Sequence, residues 1–382
     1  MSGPTGVSVV VICRDEARYI DGCLTAIGRA AAARTVPVEV LVVDGASADD
    51  TVHRAGTWSR RTGAPVPVRV VRCHRPGYGH QRNAGVAAAR YPWVAFLSAD
   101  VRVGPDWLTE VAAAVEQPVD LVLGRFDLVT PPGRRPWLAT LVPTLYPTCD
   151  DGVVARCSTV HLVARRAALP PGPFDEDLAA CEDKELAYRL RRSGRFRGAT
   201  TLGHRPAHLA REGVGAFLTK VAAEARALGQ LDRRTRGAFP DCFGWRRRAF
   251  RTAGVTAIAA VAVAARPRSR FVPVLAATAV LATGGRHATG WRRRDPDRPV
   301  LPQAALHAAA MLTISAGYLT GRFAPRTARR SANRRRAGGT DAPREGLLDT
   351  GADLRGEPRG DPAAPVPRPA GGDPAGAGVR AA

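Results

Sequence analysis

Four short apolar runs, Val7 to Cys13, Val38 to Val43, Val66 to Cys73 and Trp93 to Ser98, constrain this chain more than any other feature. Strands that read as near-continuous Val/Ile are buried on both faces, as in parallel sheets. Helical patterns over Ala17 to Ala33, Ala48 to Thr62 and His80 to Arg90 separate them. The alternation predicts an α/β fold built on βαβ units, with a mainly parallel, Rossmann-like sheet covered by helices. A helix over Asp106 to Val115, a strand over Leu121 to Phe126 and the segment Ser158 to Ala164 extend this region less regularly. A Pro-rich loop from Thr130 to Pro147 interrupts it, and loops of that length often cover a site.

Open α/β sheets bind ligands beyond the carboxyl ends of their strands. Two predicted strands stop there on a carboxylate, VEVLVVD on Asp44 and WVAFLSAD on Asp100, and a third acidic position, Asp183, lies in CEDKELAYRLRRSG beside Glu182. Each has an ordinary alternative. Asp44, in DGASADDT, suits a turn that caps the next helix, and Asp100 suits the turn before Pro105. Asp183 suits a solvated helix start favoured by the helix dipole. Against that, a carboxylate at the end of an apolar strand needs a partner, and a hard divalent cation is a natural one.

The formal net charge of +22 over 382 residues calls for anionic partners. The arginines cluster around apolar runs and in the tail, with no basic stripe interleaved with aromatics, which argues against nucleic acid. The seven cysteines are odd in number and never form a CxxC pair, so neither a disulfide framework nor a zinc site is indicated, and a reducing compartment is expected. The start, MSGPTGVSVVVICRDE, lacks a basic n-region and argues against a cleaved signal peptide.

Three regions result: an α/β domain over 1–235, a membrane-associated helical region over 236–324, and a disordered tail over 325–382 that is too poor in apolar residues to fold. The second region holds three Ala-rich runs, Thr252 to Ala265, Phe271 to Thr283 and Pro299 to Gly321. Only the last approaches the roughly 20 residues that cross a bilayer. Phe243, Trp245 and Phe250 lie amid Arg246, Arg247, Arg248 and Arg251, a mixture suited to an anionic leaflet. An interfacial hairpin followed by one spanning helix is expected, with soluble accessory helices as the alternative. The helix from Gly213 to Leu231 carries an apolar stripe of Val214, Phe217, Leu218, Val221, Ala225 and Leu228, suited to packing, to a membrane surface, or to both.

Taken in order, SVVVICRDEARYIDGCL, VVDGASADDT, GYGHQRNAGVAAA, FLSAD and CEDKELAYRLRRSG resemble the motifs of family 2 glycosyltransferases, enzymes with the GT-A fold, over roughly residues 5–235. The resemblance places Cys13, Arg14 and Glu16 in a loop around the nucleobase, Asp44 on the base itself, and Gln81, Arg82 and Asn83 in the nucleotide pocket. Ser98, Ala99 and Asp100 fall on the DxD motif, whose last Asp bonds manganese or magnesium. Asp183, or its neighbour Glu182, inherits the role of base on the acceptor hydroxyl. Two positions depart from the family pattern: Ser98 stands where an Asp is usual, and Gly45 where a second Asp is common. Asp100 is then the sole acidic metal ligand of its motif, and His208, in HRPAHLAREG, is a candidate recruit, with a histidine satisfied by local backbone or capping the next helix as the more ordinary alternative. His161, inside TVHLVA, reads as a strand residue rather than a site residue.

The resemblance implies a metal-dependent inverting transfer from a nucleoside-diphosphate sugar to a hydroxyl. Likeness to the exopolysaccharide, succinoglycan-type members implies a lipid-linked acceptor or growing cell-surface glycan, and the start without a basic n-region leads to the expectation that the catalytic domain faces the cytoplasm. A catalytically silent membrane-bound scaffold that binds nucleotide sugars through a degenerate transferase fold is the competing expectation.

Overall fold

Seven consecutive residues of VSVVVIC form strand β1 (Val7–Cys13), and every one is buried. Each fully buried Val or Ile of such a strand contributes about 1.5–3 kcal/mol. The computed structural model describes residues 5–32, 36–63, 66–129, 145, 152–209, 213–254, 300–323 and 348–349. From β1 the chain runs through α1 (Ile20–Ala32), β2 (Val38–Asp44), α2 (Thr51–Thr62), β3 (Val68–Arg72), α3 (Tyr78–Ala88) and β4 (Trp93–Ser98), the predicted alternation. Helix α1 buries Ile20, Cys23, Leu24, Ile27, Ala30 and Ala31, a stripe at helical spacing. Gly85 of α3 lies so close to Val10 that a Cβ would collide with it, and this brings the helix down onto β1.

The next elements are β5 (Val101–Arg102), α4 (Trp107–Val115), β6 (Leu121–Leu123), β7 (Asp127–Val129), α5 (Gly152–Arg156), β8 (His161–Arg165), α6 (Glu182–Arg192), β9 (Ala199–Thr201) and β10 (Ala207–Leu209). The main sheet runs β3-β2-β1-β4-β8-β6-β9. Its first four strands are parallel, β8 is antiparallel to both β4 and β6, and β9 returns parallel to β6. A second sheet, β5-β10-β7, lies at the carboxyl end of β4 and sets His208 opposite both Val101 and Leu128. These strands of two or three residues carry too little pattern to be read from sequence.

Helix α7 (Val214–Arg234) buries Phe217, Val221, Ala225 and Leu228 as expected, whereas Val214 is exposed. Its partner is α8 (Val300–Phe323), the third apolar run. Gly229 of α7 meets the Tyr318 carbonyl, Gly321 of α8 meets the Arg226 carbonyl, and a Cβ on Gly317 would lie 2.8 Å from the Ala222 carbonyl. The helices therefore touch backbone to backbone. Asp232 pins the contact, accepting from the Tyr318 hydroxyl at 2.8 Å and pairing with Arg246 and Arg322.

The expectation of a spanning helix over 299–321 is corrected: no helix among the described residues is long and apolar enough to cross a membrane. The run buries His307, Ser315 and Tyr318, and lies along α7. Trp245, expected at headgroup level, is also buried, its indole N–H donating to the Leu145 carbonyl at 2.6 Å. The expected hairpin lies outside the described residues beyond position 254, as does the Pro-rich loop apart from Leu145. Of the tail, only β11 (Leu348–Asp349) is described, paired antiparallel with β3.

Candidate functional site

Because β1 and β2 pair in register, Cys13 and Asp44 end side by side. Asp44 is buried, and its carboxylate accepts from the Ser47 amide at 3.1 Å and from the Ser47 hydroxyl, a side-chain-to-backbone bond that closes the turn after β2. The 14–17 loop is laced to this turn. The Asp15 amide donates to Ser47 Oγ at 2.9 Å, Asp15 Oδ1 accepts from the Ala48 amide at 2.7 Å, and the Glu16 amide donates to Thr51 Oγ1 at 2.8 Å. Asp15 and Ala46 adopt positive φ, 54° and 62°, a backbone cost that clusters at functional sites. Arg14 is exposed beside Asp15, whereas Glu16 is buried. Burial, reinforced by Asp44, pushes the Cys13 thiol well above its ordinary range.

The Gln81 amide nitrogen ties the two strand ends together, donating to the carbonyls of Cys13 at 2.8 Å and Val43 at 2.9 Å. A Cβ on Gly45 would sit 2.8 Å from that amide, so any larger residue there would have to displace Gln81 from its two carbonyls. Asn83 exchanges two hydrogen bonds of 2.9 Å with the Phe174 backbone and so fastens the 172–178 loop to α3. Arg82 lies buried under the rings of Tyr78 and Phe174 and binds Glu182 Oε1. Burial pushes the Glu182 carboxyl up to about 7 against the pull of Arg82.

Adjacent residues of α6 thus have opposite surroundings. Glu182 points into the core, whereas Asp183 is half-buried and accepts from the Thr159 amide at 3.1 Å and the Thr159 hydroxyl at 3.4 Å. Cys181, which opens the helix, has a φ of 62°. Lys184 is buried behind it and donates to the Cys157 carbonyl at 3.0 Å. Thr159 carries no motif, and only the tertiary structure reveals it.

At the end of β4, Ser98 is half-buried, and the Ala99 amide donates to the Ile12 carbonyl at 3.2 Å. Asp100 is buried, with Oδ2 3.3 Å from His208 Nε2. The small sheet produces that meeting across 108 residues, the Leu209 amide donating to the Asp100 carbonyl at 3.0 Å. The Phe126 ring stands edge-on to the imidazole, with centroids 5.1 Å apart. The Nδ1 of His208 is buried without a hydrogen-bond partner in the described structure. No group of three or more His, Cys, Asp or Glu placed to hold a metal occurs among the described residues. The Asp100 carboxylate still fits magnesium or manganese, ions that keep several waters and take further oxygens from substrate phosphates, and the His208 imidazole fits manganese better than magnesium.

Residues 8–168 match the glycosyl transferase family 2 family. An uncharacterized glycosyltransferase of Mycobacterium tuberculosis is 38% identical over 119 residues, 31% of this chain and 48% of that protein. The chain therefore spans about half the length of that curated relative. The succinoglycan biosynthesis protein ExoO of Rhizobium meliloti is 36% identical over 117 residues, 30% of this chain and 32% of that protein. Among solved structures, the mannosyltransferase PcManGT of Pyrobaculum calidifontis, in complex with GDP-Man and Mn2+, is 21% identical with a TM-score of 0.54. That likeness covers 84% of this chain and 88% of the other, and it shows a GT-A-like α/β fold.

Proposed function

From a family 2 glycosyltransferase domain over residues 8–168, we propose that this chain transfers a sugar, with inversion, from a nucleoside-diphosphate sugar to a hydroxyl acceptor. The acceptor in this reading is a lipid-linked or growing cell-surface glycan, and a divalent manganese or magnesium ion assists. The observation that carries the reading is the Asp100–His208 contact of 3.3 Å at the carboxyl end of β4, where an α/β sheet presents its ligand. The Mn2+ and GDP-Man held by the Pyrobaculum enzyme support the same ligand class.

In this reading the laced 14–17 and 44–51 loops, with Cys13, Arg14, Glu16 and Asp44, form the nucleobase side, braced from below by Gln81. Asp100 and His208 would hold the ion, which relieves charge on the departing diphosphate. Arg82 is committed to Glu182 and braces α3 against α6. Asp183, oriented by Thr159, is the base: it takes the acceptor proton while the acceptor oxygen bonds the anomeric carbon and the phosphate oxygen leaves from the opposite face. Glu182 stays paired in the core. Exposed Phe250, with Arg247 and Arg251 beside it, supports an anionic membrane face as partner, with catalysis on its cytoplasmic side.

Calorimetric titration with UDP- and GDP-sugars, with and without manganese, tests the reading. Metal-dependent binding is expected, and absence of binding to every nucleotide sugar would overturn it. A donor-sugar screen against membrane extracts then identifies both substrates, and sedimentation with anionic vesicles tests the membrane partner.

A further inference from the structure

His161 lies wholly buried at the start of β8, one strand away from β4. Its Nε2 is 2.9 Å from the Trp107 indole nitrogen, a group that can only donate, so Nε2 accepts and the ring proton sits on Nδ1. That Nδ1–H in turn donates to the Arg125 carbonyl at 2.9 Å. Both nitrogens are used, and burial keeps the ring neutral, its pKa pushed down to about 4, so a single tautomer persists through neutral pH.

The group held at the far end is the turn between β6 and β7. Gly124 lies flat against the imidazole, where any Cβ would collide with the ring, and its amide donates to the His161 carbonyl at 2.9 Å. The residue after Arg125 is Phe126, whose ring stands edge-on to His208, and β7 then pairs alongside β10 with Leu128 opposite His208. A rigid path therefore runs from the Trp107 indole through His161, the Arg125 carbonyl and the Phe126 ring to the His208 imidazole, 3.3 Å from Asp100.

We propose that His161 is a positioning residue for the Asp100–His208 pair, fixing the 124–126 turn so that Phe126 holds the His208 ring in its ligating orientation. The proposal rests on the reading of that pair as a divalent-cation site. A buried histidine serving only the core would affect folding stability and leave cation affinity alone.

Manganese titration followed by electron paramagnetic resonance, with UDP and separately with GDP present, distinguishes these cases alongside thermal melts. Wild-type protein that takes up no Mn2+ under either condition overturns the cation reading itself, and with it this proposal. Given wild-type uptake, His161→Phe keeps the ring and loses both hydrogen bonds, and is expected to bind Mn2+ about 10–100-fold more weakly, the usual effect of removing a support behind a metal ligand. His161→Gln can accept through Oε1 and donate through Nε2, and should restore most of the affinity. Phe126→Ala leaves the buried bonds intact and should weaken Mn2+ binding by about tenfold; it decides the matter if His161→Phe does not fold. Folded variants at both positions with wild-type Mn2+ affinity, or loss at His161 without loss at Phe126, would overturn the proposal.

Discussion

Glu182 and Asp183 are adjacent carboxylates that the fold sends in opposite directions, one to a buried guanidinium and one to a threonine at the open end of the sheet. Asp183→Asn should abolish sugar transfer while leaving nucleotide affinity near wild type, as judged by calorimetry beside a transfer assay; loss of binding would move the base elsewhere. Removing Arg82 is a different experiment. Arg82→Met leaves Glu182 buried and unpaired, and a broken buried pair costs about 3–5 kcal/mol, measurable in a urea melt. Asp100 and Asp183 were legible in the sequence because they sit in local motifs. The Arg82–Glu182 pair spans 100 residues and Thr159 belongs to no motif, so neither could be read before the chain was folded.

Among the elements, β1 to β4 and their helices follow the predicted order because buried parallel strands declare themselves as unbroken apolar runs. Strands β5, β7 and β10 are invisible by the same criterion, yet they carry His208 to Asp100. The turn after β2 shows how an element constrains one of its positions. Gly45→Asp would drive a side chain into Gln81, with an expected cost of about 1–3 kcal/mol for overpacking; a stability equal to wild type in denaturant titration would count against this account.

At the scale of the molecule, α8 covers the apolar face of α7, so the border drawn at residue 235 crosses a packed contact. Deleting 300–323 should expose Val221, Ala225 and Leu228 and lower soluble yield and melting temperature together; a truncated chain as stable as the whole would show that α8 is dispensable. Stability should also depend on pH through His161. The unfolded side chain titrates near 6.5 and the folded one at about 4, so the unfolded state binds the proton more readily. His161's contribution is complete above pH 6.5 and lost as pH falls toward 4, by up to about 3 kcal/mol. His161→Gln should remove that part of the acid loss in urea melts across this range. By itself the sequence determined the α/β alternation, the parallel core and the strand-end carboxylates, since each is written in contiguous residues whose burial and periodicity are local properties. The tertiary structure decided which groups meet: His208 with Asp100, Glu182 with Arg82, Thr159 with Asp183 and α8 with α7. Those meetings depend on strand order and backbone approach between segments 24 to 108 residues apart, and no local pattern encodes them.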